Sequence, residues 1–373
     1  MTSPKTTHPA WATALRQARM EAGWDVHRLA VEMVRAAGPE ATATTQSLAR
    51  RIREWEAGRS TIRERYRLLL ARVLPLDPKT LADRPMGGTE ADRVRSITKG
   101  LIALDELTGG ADLLPVAVRN ARTCHRAALA TRNKDMASAA AEASQVAGWL
   151  AFDAEELPLA RRLTNASVQL SRAGGDHFAK LFALSQLAML DAHERRPDQA
   201  RPVCEHVLAQ DLSPRVRGLF ELRLARAQGQ EGTPGRAVET LNRARARLGE
   251  GNRERDPAWT WWITDAELSW HEAMIHADNG DWTTAVDLFE LALGGRPPGY
   301  QRGALHDAAH LVHAQSRVRA WPDVEQVLRT RVVPTVGRVR SKRAHALLLR
   351  TDAEVGAGSG PLALRELLAQ ATA

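Results

Sequence analysis

A short breaker followed by a small residue recurs along most of this chain, and it constrains the fold more than any other feature. LLPVA ends at Ala117, ELPLA at Ala160, RPDQA at Ala200, TPGRA at Ala237, DWTTA at Ala285, AWPDV at Val324 and SGPLA at Ala363. The intervals are 43, 40, 37, 48, 39 and 39 residues. After each small residue the apolar spacing is helical, as in Ala237, Leu241, Ala244 and Leu248. A further helical stretch precedes the breaker, over 139–152, 178–193 and 261–277 for example. Twelve residues before several of these alanines stands another small residue: Gly148, Ala188, Ala225 or Ala273. Small residues at such a pair of positions let two antiparallel helices approach closely. Two helices per period of about 40 residues imply an α-solenoid, because one hairpin cannot bury its own apolar face.

The interval of 48 holds an insertion at 248–259, LGEGNRERDPAW, rich in charge, Gly and Pro. Val and Ile nowhere alternate with polar residues in a sustained run, so the whole chain is expected to be all-α. No run of about 18 apolar residues is present, which argues against a membrane span. The segment MTSPKTTHPAW lacks the apolar core of a signal peptide. Two distant cysteines, Cys124 and Cys204, build no disulfide framework. Together these point to the cytoplasm.

Charge divides the chain. Residues 1–84 carry 15 Lys+Arg against 9 Asp+Glu, whereas the remainder carries 37 against 35. A basic footprint for a polyanion is therefore concentrated in the first quarter. At its centre lies TQSLARRIREWEAGR, 45–59. Leu48, Ile52 and Trp55 form one apolar stripe on a helix, Gln46, Arg50 and Arg53 project from the other side, and Gly58 ends it. The major groove of DNA admits such a helix, and Arg pairs bidentately with guanine. A solvated Arg-rich face is the plain alternative. Trp11, Leu15 and Ala18 suggest an earlier helix. Asp25 caps a second, carrying Leu29 and Met33, that stops near Gly38-Pro39. A Thr-rich connection follows, then later helices around Tyr66–Val73 and Leu76–Leu81. Arg84–Thr89, RPMGGT, breaks the pattern. The expected division is 1–84, a linker at 85–89, and 90–373, with 90–110 as a lead-in helix.

LRxARxEAGW at 15–24, Leu29 with Ala30, WExGR at 55–59 and YRxLL at 66–70 resemble the λ-repressor-like, Xre-type helix-turn-helix family of actinobacterial regulators. That resemblance implies a five-helix DNA-binding domain. It also implies a buried structural ion pair, Arg19 with Glu56. Gln46, Arg50 and Arg53 would reach base edges, and Arg51, Arg59, Arg63 and Arg65 would contact phosphates. Arg51 is equally suited to a surface ion pair. Two features depart from the family: Val26 stands where it has a phosphate-binding Gln, and the stretch between Ala30 and Ile52 is longer than its tight turn. The repeats are similar to tetratricopeptide repeats lengthened beyond the usual ~34 residues. The two-part layout resembles the peptide-pheromone-responsive regulators, whose repeat groove binds a short peptide.

No phosphate-binding Gly-rich loop, nucleophile elbow or CxxC pair occurs, so neither an enzyme nor a cofactor is expected. His306, His310 and His313 share a helix face, but no HExxH motif or nearby Cys supports a metal. They read as inner-groove or interhelix histidines. Trp259, Trp261, Trp262 and Trp270 follow the insertion and either pack between helix pairs or line a groove. Trp261, Trp262, His306 and His310 are the groove candidates. Asn165, Arg172 and Arg223 join them by exclusion. The expected function is a homodimeric transcriptional regulator. It would bind a double-stranded DNA operator and sense a peptide, protein or small-molecule effector through its repeats. The alternative is a protein-interaction adaptor whose basic domain has lost specific DNA binding.

Overall fold

The computed structural model describes residues 9–37, 44–62, 64–76, 81, 89–250, 256–296, 299–358 and 360–372. Among them every regular element is helical. Contacts divide the chain into two units, Met1–Gly88 and Thr89–Ala373.

The first unit contains α1 (Ala10–Glu21), α2 (Val26–Ala37), α3 (Thr45–Glu56) and α4 (Glu64–Val73). The start of α2 is set by Asp25, whose carboxylate accepts a hydrogen bond from the Arg28 N–H at 2.6 Å. The start of α3 is set by Thr44, whose hydroxyl accepts from the Ser47 N–H at 3.2 Å. Each satisfies a backbone donor that the helix itself leaves unpaired. Leu48, Ile52 and Trp55 turn inward from α3 onto Leu15, Leu29, Met33 and Leu70. Trp55 meets Tyr66 at a ring separation of 5.2 Å. Gly58 follows α3 with φ +65°, and a Cβ there would meet the Pro9 ring at 2.5 Å, so glycine is required twice over. Arg19 and Glu56 form a forked pair, Nε to Oε1 at 2.6 Å and Nη2 to Oε2 at 2.9 Å, with their side chains only 12% and 11% exposed. Arg19 Nη1 also donates to the Trp24 carbonyl at 2.7 Å, tying the α1–α2 turn to the end of α3. The connection at 38–43 and the linker at 85–88 lie outside the described residues. So does most of the fifth helix expected over Leu76–Leu81.

The second unit opens with α5 (Glu90–Thr108) and then alternates outer and inner helices. The outer ones are α6 (Leu114–Thr131), α8 (Leu157–Gly174), α10 (Pro197–Leu208), α12 (Pro234–Gly249), α14 (Trp282–Gly294), α16 (Trp321–Val327) and α19 (Leu362–Thr372). The inner ones are α7 (Lys134–Asp153), α9 (His177–His193), α11 (Pro214–Gln230), α13 (Asp265–Asp278), α15 (Gln301–Arg317) and α18 (Lys342–Ala357). A π-helical turn at Leu328–Val332 joins α16 to α17 (Val333–Val336). Pro334 explains this turn: without an N–H it cannot continue the i→i−4 ladder, so the helix register changes.

Each breaker in the sequence opens an outer helix, and its small residue is the crossing point with the inner partner. Ala117, Ala160, Ala200, Ala237, Ala285 and Val324 are all buried. Ala188 packs with Ala200, Ala225 with Ala237, and Ala273 with Ala285. At Gly148 a Cβ would meet Thr164 Oγ1 at 2.7 Å, so α7 and α8 approach as closely as a backbone allows. The last repeat departs from this register. Ala363 is exposed and Leu364 takes the inward place. The helix expected over 261–277 starts later, at Asp265, because Thr264 caps it by accepting from the Glu267 N–H at 3.4 Å. A 3-10 turn, Ala258–Trp262, precedes it, and residues 251–255 of the insertion lie outside the described set.

Solenoids usually stay open, each repeat touching only its neighbours. Here the two ends meet: α15 packs on α5, and α18 packs on α7. Arg302 Nε donates to Asp105 Oδ2 at 3.0 Å, and Trp149 Nε1 donates to the same oxygen at 3.0 Å. Asp153 is a second closure point, accepting from Ser341 Oγ at 2.8 Å and from the Gly110 N–H at 3.2 Å. The Arg340 N–H donates to the Thr108 carbonyl at 2.6 Å, and the Ala111 N–H donates to the Arg340 carbonyl at 3.3 Å. Side chains and backbone thus join opposite ends of the repeat array into a closed ring.

Candidate functional site

Inside the ring lies a cavity of about 820 Å³ that opens to solvent. Its wall is made mostly by the inner helices and α5, with Trp259 and Trp262 of the 3-10 turn and Trp282 and Phe289 of α14 completing it. The inner helices α7, α11, α13 and α15 are buried nearly all round because they face outer partners on one side and the cavity on the other. That explains charged and aromatic residues on α11, α13 and α15 at positions a simple amphipathic pattern would leave apolar.

Aromatic rings line the space. Phe182 stacks on Trp259 with centroids 4.5 Å apart and planes 5° apart. Trp149, Trp262, Trp270 and Trp282 also border the cavity. A guanidinium lies over several of them: Arg302 4.8 Å from the Trp149 centroid, Arg317 4.7 Å from Trp282, and Arg343 4.5 Å from Phe152. These positions suit cation–π attraction. They also turn the polar edges of the Arg side chains toward the space.

Most of the charge is paired. Arg302 meets Asp105, each side chain 5% exposed. Arg296 binds Asp307 at 2.5 Å and Glu267 at 3.1 Å. Arg226 pairs with Asp278. Burial opposes ionisation of Glu267. The guanidinium of Arg296, the hydrogen bond from His271 and the charge of Arg223 outweigh it and hold the carboxyl below its usual range. Asp307 behaves oppositely: burial pushes it up to about 6, although Arg296 pulls it down.

The histidines are held neutral. Burial lowers His271 to about 4, against the Glu267 hydrogen bond and with help from Arg223. Burial likewise lowers His313 to about 4, assisted by Arg350 and Arg317. His306 and His310 lie well below the ordinary value, first through burial, then through Arg343 and Arg302 for His306 and through His306 and His313 for His310. The rings of His306 and His310 are 4.6 Å apart, and Trp270 lies 5.1 Å from each. Among the described residues no group of three His, Cys, Asp or Glu side chains is arranged to hold a metal ion. The two cysteines are buried and free, and burial pushes the Cys204 thiol up to about 12.

Of the expected groove residues, Trp262, His306, His310 and Arg223 line the cavity. The side chain of Trp261 lies outside the description. Asn165 and Arg172 do not belong there: both sit exposed on α8, an outer helix. Sequence reasoning missed Asp105, Arg302 and Arg343, whose partners lie roughly two hundred positions away.

In the first unit, Gln46, Arg50 and Arg53 are exposed on α3 on the side opposite the buried stripe. Arg59 is exposed beyond its end. Arg51 is only partly exposed, its guanidinium 5.5 Å from the Tyr66 centroid. Arg63 and the side chain of Arg65 lie outside the described residues.

No helix among the described residues is long and apolar enough to cross a membrane. No protein-family model matches the chain, and no curated protein matches it in sequence. Among solved structures it is similar to the crystal structure of Rap protein complexed with Competence and Sporulation Factor. The sequence identity is 15% and the TM-score 0.48, over 96% of this chain and 89% of that one.

Proposed function

We propose that this chain is an interaction protein of the tetratricopeptide-like kind, whose repeat unit takes up an effector, a peptide or a small organic molecule, inside the closed ring. The carrying observation is the concave cavity of about 820 Å³ inside the ring, walled by Trp and Phe rings with convergent Arg and His side chains. Ligand sites are concave, mostly apolar and furnished with a few placed polar groups, in the size range ~300–1,000 Å³. The paired charges fix the wall, and the rings supply the apolar contact. Saturable, one-to-one uptake of a neutral aromatic probe, N-phenyl-1-naphthylamine, by the full chain tests this reading.

A second reading is favoured by α3. Its exposed Gln46, Arg50 and Arg53 face away from a well-packed core. In this reading α3 enters a DNA major groove, Arg59 contacts phosphate, and the chain is a ligand-responsive transcriptional regulator. A two-fold dimer would read half-sites one helical turn apart, ~34 Å. Arg50→Ala is then expected to cost about 1–3 kcal/mol and to relax base preference at one position. Arg59→Ala should weaken all sequences alike and flatten the salt dependence by about one unit. Mobility-shift titrations at two salt concentrations check both. Binding that is insensitive to either substitution contradicts this docking, and the chain is then an interaction protein without an operator.

A further inference from the structure

Arg223 stands apart from the other guanidiniums of the cavity wall. It is 6% exposed, yet among the described residues no carboxylate lies within 4 Å of it. Its hydrogen-bond partner is another basic side chain, with Nη1 3.1 Å from His271 Nε2. Arginine has no acceptor, so Nε2 accepts in this contact, and the same nitrogen lies 3.4 Å from Glu267 Oε1. Arg223 Nε, a buried donor, and His271 Nδ1, a buried ring nitrogen, have no hydrogen-bond partner in the protein. Trp259 Nε1 is a third. The Trp262 ring lies 5.8 Å from the guanidinium carbon, and Phe182, stacked on Trp259, is 6.4 Å from Trp262.

Glu267, the carboxylate whose charge acts on Arg223, is already engaged by Arg296, so a desolvated guanidinium with no carboxylate in contact is costly, and a niche of unpaired donors is incomplete. A guanidinium fork matches the geometry of an oxyanion. The stacked rings beside it offer apolar surface to whatever carries that group. We propose that the cavity binds an organic anion, its oxyanion group paired with Arg223 and its apolar body laid against Phe182, Trp259 and Trp262. The ligand chemistry is a carboxylate or phosphate on an apolar frame. The carboxylate of a peptide and the phosphate of a small metabolite are its two sources. A small rotation of Arg223 brings its unpaired donor to the ligand. This assignment rests on the cavity being the effector site.

Two fluorescent probes separate the claims. 8-Anilinonaphthalene-1-sulfonate and N-phenyl-1-naphthylamine share one apolar body, and only the first carries an anion. The full chain is expected to bind one molecule of the sulfonate about tenfold or more tightly than the neutral probe. Arg223→Met should abolish that preference and leave the neutral probe unaffected, while Arg223→Lys should restore part of it. Competition against the wild-type chain needs no variant and identifies the source. Displacement by hippurate, an acylated amino-acid carboxylate, points to a peptide terminus, and displacement by phenyl phosphate points to a phosphorylated metabolite. Equal affinity of the wild-type chain for both probes overturns the anion assignment, as does a preference unchanged in Arg223→Met. If neither probe saturates one site, the cavity reading itself fails.

Discussion

Arg302→Met is expected to destabilise the repeat unit by about 3–5 kcal/mol, because it leaves Asp105 buried without its cation. Asp105 is 95% enclosed and its remaining donor is a neutral indole, Trp149 Nε1. Burial already pushes the Asp105 carboxyl up, and Arg302 is the largest influence pulling it back. Removing Arg302 also takes away its hydrogen bond to the Tyr300 hydroxyl and its position over the Trp149 ring. The pair Asp105→Leu with Arg302→Met should cost less than Arg302→Met alone, since replacing both partners leaves no stranded charge. Urea unfolding of the full chain measures all three proteins. An Arg302→Met loss below about 1 kcal/mol, the range of an exposed pair, would show that the ends of the array are not locked through this contact.

Mild acid should weaken the protein in a specific window. His271 and His313 are held at about 4 in the folded chain, against an ordinary value of 6.5. The unfolded chain therefore takes up their protons first as pH falls. Stability that is present above 6.5 is lost progressively down to about 4. Between pH 7 and 5 the linkage amounts to about 2 kcal/mol for each of these two histidines. His306 and His310 act in the same direction. Asp307 acts in the opposite one, because a carboxyl at about 6 gains its proton in the folded chain before the unfolded one, returning about 1 kcal/mol. Asp105, Glu142 and Glu221, raised by burial, act with Asp307, and the net expectation is a loss on the order of 3 kcal/mol between pH 7 and 5, read as a falling urea midpoint. A midpoint that holds steady or rises across this interval contradicts neutral burial of the histidines.

Much of the repeat architecture was legible because it is local. A breaker, a small residue and a helical stripe within one hairpin dictate where an outer helix starts and where its partner crosses. Ala160 against Gly148 is the clearest instance. Ring closure was not legible, because Arg302 and Asp105 are 197 positions apart and neither stands in a local motif. Whether the ends of a solenoid meet depends on small rotations accumulated over every repeat. The same reason misplaced Asn165 and Arg172: spacing identifies a helix pair, whereas only the curvature of the array decides which member faces inward. A usable signal did exist in α11, where Arg215, Glu221, Arg223 and Arg226 point in several directions from a helix that is buried throughout. Charge on every face of a helix inside a repeat array marks a wall facing an internal space. In the first unit, the pairing of Arg19 with Glu56 was implied by the family resemblance rather than by the helical stripes, and the two side chains meet at 2.6 Å.

The most direct test of the account is a titration of the full chain with N-phenyl-1-naphthylamine, repeated on Ala346→Trp. Ala346 lies on α18, borders the cavity and is exposed, so an indole there fills the space without disturbing the packed helix faces. The account predicts one saturable site per chain in the wild type and its loss in Ala346→Trp at unchanged thermal stability. Equal uptake by both proteins would place the probe elsewhere, and the ring would then enclose no binding site.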